Sequence, residues 1–247
     1  MNESTLSTRT TGTTAGDWAR EVVPPAHSST APPVTTPSAR ADRRLLAAMA
    51  TAMVAAPLAM TAWFLVEPSV LPREDAEVFL TSVASSPTRY LIGTGLVLLA
   101  GLAGLVAAFG LSRVLRRRLP RLGRAVGVLT FLSGAGLLVQ VGFRSVIWSL
   151  VDSSSVPAAS IESYARFQTA GLFDVLVAPG LVFGGLATLL TVGALLRTRM
   201  VPWWVPAALV VGTVLASGEF ADPVTVGGAA LGAVANLRIA RELFRRD

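Results

Sequence analysis

Apolar residues arrive in six long runs, at about 45–66, 90–112, 125–150, 171–195, 200–217 and 223–240, separated by short stretches that hold nearly all the charge. The first four reach the roughly 20 residues that carry an α-helix across the hydrocarbon core of a bilayer. A helix satisfies every backbone N–H and C=O within itself, which an apolar medium without water requires. The pattern therefore predicts an all-α, polytopic membrane helix bundle of about six transmembrane helices, filling residues 41–247. The last two runs are shorter, and the final one has only about 14 residues before Asn236. Two full spans and a re-entrant hairpin are both open over residues 200–240.

Residues 1–40 break the pattern. They are rich in Ser, Thr, Pro and Gly with few large apolar groups, too few to offset the entropy of ordering, and a disordered cytoplasmic tail is expected. The tail lacks the basic, apolar and small-residue segments of a cleaved leader, so the first span is expected to persist. Between the spans, LPREDAEVFLTSVASSP (71–87) has a helical period of its own. Ala76, Phe79, Leu80 and Val83 recur at i, i+3, i+4 and i+7 behind Pro72, Glu74, Asp75 and Glu77, which places acids at the positive end of a helix dipole. A short helix lying on the outer membrane surface is expected, with a weaker version around Ile161 and Tyr164.

Composition agrees with the bilayer as solvent: 52% of residues are hydrophobic, 15% are charged, and mean hydropathy is +0.60. Charge then sets orientation. All 21 basic residues are arginine, and most of them cluster at Arg40 to Arg44, Arg113 to Arg124, Arg197 with Arg199, and Arg238 to Arg246, on one side of a six-span layout. The other side carries only Arg73, Arg89 and Arg166 but many acids, including Glu74, Asp75, Glu77, Asp152, Glu162, Glu219 and Asp222. By the positive-inside rule the chain is a multi-pass plasma-membrane protein with both termini cytoplasmic. Trp63, Tyr90 and Trp148 fall at the outer boundary and Trp203 with Trp204 at the inner one, where amphipathic rings prefer to sit.

The net charge of +6 does not point to nucleic acid, because the arginines cap the spans instead of lining one soluble face. The expected partner is the bilayer itself, with anionic lipids on the cytoplasmic side; no protein partner is indicated. In RRRLPRLGR, the candidate anionic-lipid contacts are Arg116, Arg117, Arg118, Arg121 and Arg124, whose guanidiniums can fork onto phosphate. Topology-setting charge is the plainer reading of the same residues.

Polar groups inside the spans are few. On a helix, Thr130, Ser133, Gln140 and Arg144 fall within about 80° of one another, one polar stripe on the third span. Asp174 lies near the outer end of the fourth, at a depth Arg144 can reach. Three readings share these residues: Arg144 snorkels to the headgroups while Asp174 caps its helix, the two form an interhelical ion pair, or they hold a substrate or proton. Gly180 with Gly184, Gly228 with Gly232, and Gly101, Gly104 and Ala108 are small-residue faces that predict close helix packing.

Catalytic groups are scarce. There is no cysteine, and the single histidine, His27, lies in the tail. No P-loop, no paired acids of the DDxxD kind and no HExxH occurs, so no metal, no cofactor and no enzymatic activity is expected. The Arg-rich turn after the second span, the helical outer loop after the first and the Arg-only composition resemble the uncharacterised six-span proteins frequent in GC-rich bacteria, over residues 44–247. That resemblance implies a bacterial membrane location. The expected role is structural, regulatory or partner-binding; the alternative is a small-solute or lipid transporter with an outward-facing site between spans three and four.

Overall fold

Eight α-helices follow one another in a computed structural model that describes residues 37–66, 75–151, 156–217 and 222–245, with no strand among them. They are α1 (Pro37–Val66), α2 (Ala76–Ser85), α3 (Pro87–Arg116), α4 (Pro120–Ser149), α5 (Ala158–Thr169), α6 (Leu172–Thr198), α7 (Trp204–Ser217) and α8 (Asp222–Arg241), closed by a 3-10 turn at Glu242–Phe244. Proline opens α1, α3 and α4, where its missing N–H costs nothing and its fixed φ suits a helix start. The start of α1 at Pro37 falls inside the stretch read as tail; residues 1–36 lie outside the described residues.

Five helices are long and apolar enough to cross a membrane: α1, α3, α4, α6 and α8. The two final runs differ from expectation in which is short. Helix α6 ends where Arg199 turns left-handed at φ 50, and Pro202 delays α7 to Trp204, leaving it 14 residues, about 21 Å of helix against a core of about 30 Å. Helix α8, expected to be the weaker, runs 20 residues. The outward faces carry large apolar groups, with Leu181 67%, Leu189 62% and Leu196 55% exposed along one side of α6. Water would not tolerate such a surface, and a bilayer does, so the bundle is membrane-embedded.

The six longer apolar helices close a ring. Each packs on the next in the order α1, α3, α4, α6, α7, α8 and back to α1. The arginine-rich end of the ring is plugged by a core that includes Met49, Val114, Leu115, Val126, Leu195, Val205 and Ile239. Small residues set the seams. A Cβ added to Gly136 would stand 2.6 Å from the Gly180 Cα, and one added to Gly212 would stand 2.7 Å from the Gly228 carbonyl, so α4 meets α6 and α7 meets α8 with backbone against backbone.

Helices α2 and α5 pack on each other as a cap at the opposite end. Asp75 caps α2, its carboxylate accepting from the N–H groups of Glu77 at 2.9 Å and Val78 at 3.3 Å. The predicted apolar face of α2, Ala76, Phe79, Leu80 and Val83, is the buried one, but it faces protein and not lipid headgroups: it joins Tyr90, Phe143, Ile147 and Tyr164 in a second core. The reason is α5, whose Tyr164 stacks on Phe79 at 5.3 Å and whose Phe167 stacks on Phe143 at 4.8 Å. Burial pushes the Tyr164 phenol above its ordinary range, against the opposite pull of a hydrogen bond with Gln168.

Candidate functional site

The polar stripe of α4 serves two different seams. Near the cap, Arg144 is 5% exposed and turns toward α3, its Nε donating to the Thr94 hydroxyl at 2.9 Å and Nη2 to the Tyr90 carbonyl at 3.3 Å. The guanidinium carbon lies 4.3 Å from the centre of the Tyr90 ring, and the Tyr90 hydroxyl donates back to the Arg144 carbonyl at 3.2 Å. Arg144 is therefore not a snorkelling residue, and Tyr90, expected at the headgroups, is 1% exposed beneath it. Asp174 occupies the first turn of α6; its side chain lies outside the described residues. Gln140 is half-buried, with no hydrogen bond among the described residues.

Nearer the middle of the helix, the stripe faces inside the ring. Thr130 and Ser133 line a cavity of about 320 Å³ to which all six ring helices contribute. Thr130 lies ten residues from Pro120, about 15 Å along the axis, which is mid-depth for a bilayer. The remaining polar groups are Thr188 and Thr191 from α6 and Asn236 from α8. Their bonds run to backbone: Ser133 donates across the seam to the Gly180 carbonyl at 2.9 Å, Thr188 to Gly184 at 3.0 Å, Thr191 to Ala187 at 2.7 Å and the Asn236 amide to Gly232 at 2.9 Å. Each donated hydroxyl keeps acceptor lone pairs for something else.

Thr130 differs from these. Its Oγ1 is buried and has no hydrogen-bond partner, alone among the described side chains in that respect. A buried hydroxyl without a partner costs about 1–3 kcal/mol. Among the described residues that line the cavity none is ionisable, so the space can recognise shape and hydrogen bonds but not charge.

At the arginine-rich end the predicted lipid contacts also divide. Arg117 reaches the C-terminal turn, its Nη1 donating to the carbonyls of Arg245 at 2.7 Å and Glu242 at 3.1 Å, which holds α8 to the α3–α4 turn. Arg121 and Arg124 line a hollow on the surface, while Arg116 and Arg118 are exposed away from it. Glu242, buried to 4% exposure, pairs with Arg238 at 2.8 Å and Arg245 at 3.1 Å. Glu242 was not among the residues expected to matter, nor were Thr94 as the partner of Arg144 and Thr191 and Asn236 as cavity residues. Thr191 stands three residues after Thr188, a spacing that places both on one face; nothing in the sequence points Asn236 at α4.

No curated protein and no solved structure matches the chain. The sequence model of one family covers residues 46–236, from early in α1 to late in α8, and by that match the protein belongs to the DUF4386 family, built on a domain of unknown function.

Proposed function

We propose that this protein is a non-enzymatic plasma-membrane protein that holds an uncharged amphiphile, an apolar molecule bearing a hydroxyl or amide, inside its helical ring. The carrying observation is the cavity of about 320 Å³ that has Thr130, whose buried hydroxyl has no hydrogen-bond partner, among its lining residues. Its size falls at the small end of ligand pockets, about 300–1,000 Å³. The acceptors on Thr188, Thr191 and Ser133 favour a ligand that donates hydrogen bonds, and the lack of ionisable groups among the described lining residues favours a neutral one. It also leaves no side chain there to move a proton. Passage of a solute between α4 and α6 would require their Gly136–Gly180 seam to part, and nothing in the packing favours that reading over simple binding.

Thr130→Val tests the ligand. It swaps hydroxyl for methyl at nearly constant shape. Native mass spectrometry of wild-type protein extracted with its lipids is expected to show a bound neutral species that Thr130→Val loses, while the stripped variant melts no lower than wild type. A wild type that carries no such species, or a variant that retains it, would overturn the reading.

The orientation, both termini cytoplasmic, is supported by the arginine clusters at one end of the bundle. Because the chain has no cysteine, single substitutions report it cleanly. On intact cells an impermeant maleimide is expected to label Ser163→Cys on α5 and to reach Ala41→Cys on α1 only after lysis. The reverse pattern would invert the topology.

A further inference from the structure

We propose that Arg121, Arg124 and Arg197 form a binding site for the phosphate of an anionic phospholipid. The three arginines come from two helices, α4 and α6, and border one open hollow of about 870 Å³. All three are exposed, and none makes an ion pair among the described residues. The buried acid at this end, Glu242, is already held by Arg238 and Arg245, so the hollow has positive charge that no acid among the described residues pairs with.

The floor of the hollow chooses the ligand. Leu119, Pro120, Leu122 and Ala125 are apolar, and a free inorganic anion gains nothing from them, whereas a phospholipid lays its glycerol and upper acyl carbons there while the arginines take the phosphate. The first turn of α4, which opens at Pro120, adds the positive end of a 30-residue helix dipole. Arg117, by contrast, is committed to the C-terminal carbonyls and takes no part. The site thus separates two of the five arginines of the α3–α4 turn from the rest and adds one from α6.

The test is native mass spectrometry of the full chain in detergent, titrated separately with phosphatidylglycerol, phosphatidylcholine and inorganic phosphate. At about 1 kcal/mol per arginine, the combined Arg121→Gln, Arg124→Gln and Arg197→Gln variant is expected to bind phosphatidylglycerol on the order of a hundredfold more weakly than wild type. A charge-matched control, Arg43→Gln with Arg44→Gln and Arg113→Gln, removes three exposed arginines of the same end that lie outside the hollow, and is expected to retain wild-type binding. Equal losses in the two variants would reduce the effect to net charge and overturn the site. Equal affinity for phosphatidylcholine would overturn the demand for an anion, and suppression of lipid binding by millimolar phosphate would overturn the lipid. If the triple variant does not fold, Arg197→Gln alone carries the test, with roughly a fivefold loss expected.

Discussion

Gly136→Leu is expected to prevent the ring from closing, the largest effect of any single substitution proposed for this protein. A Cβ at this position would already stand 2.6 Å from the Cα and 3.1 Å from the N of Gly180, both backbone atoms that no rotamer change can move aside. Leucine adds three further carbons. Forcing excess volume into a packed seam costs about 1–3 kcal/mol, and more where backbone must shift. Separating α4 from α6 would also break the bond from Ser133 to the Gly180 carbonyl and widen the wall of the cavity. At about 2–4 °C per kcal/mol, a fall of roughly 10 °C or more is expected in thermal unfolding followed by size-exclusion chromatography. Gly142→Leu, on the same helix, is the control: a Cβ there meets nothing within 4 Å and should leave the transition in place. If the two variants melt together, α4 and α6 do not meet at Gly136.

Arg144→Ala is expected to cost about 2–4 kcal/mol, through three losses that act together. The guanidinium gives up its bonds to Thr94 and the Tyr90 carbonyl, its stacking on the Tyr90 ring, and the packing of its alkyl stem. Part of this is offset because a charged group no longer has to be desolvated. Arg144→Lys is expected to recover less than half of the loss, since a compact ammonium cannot serve two acceptors and lie flat on a ring at once. A double-mutant cycle between Arg144→Ala and Thr94→Ala should give a coupling of about 1 kcal/mol. An Arg144→Ala protein that unfolds within about 0.5 kcal/mol of wild type would show that the contact with α3 does not anchor α4.

Several features of the fold were legible in the chain because they depend on local composition. Apolar runs long enough to span a bilayer must be helical, whatever surrounds them, and α1, α3, α4 and α6 follow from that alone. The period of Ala76, Phe79, Leu80 and Val83 gave both the helix and its buried face. The glycine spacings marked seams correctly in kind: Gly180 meets Gly136, Gly184 meets the Ser133 side chain, and Gly228 meets Leu215 and Gly212.

Partnership, in contrast, was not legible. The same face of α2 suits headgroups or another helix equally well, and only α5 made it a protein cap. The stripe from Thr130 to Arg144 looked like one site because residues at helical spacing share a side, yet neighbouring helices lie at two angles around α4. Ser133 meets α6 and Arg144 meets α3, while Thr130 lines a space that six helices border together. A cavity belongs to no helix, so no period along one helix could announce it.

By itself, then, the sequence determined the helices, their solvent and the end at which arginine gathers, since each follows from the free energy of moving a local segment out of water. The tertiary structure alone decided that these helices form a ring, that Arg144 ties α4 to α3, and that Arg197 joins Arg121 and Arg124. The physical reason is that apolar surface is non-directional: it drives a span into the bilayer without naming a neighbour. Close packing at glycine and hydrogen bonds of fixed length supply the names, and they exist only once the helices have met.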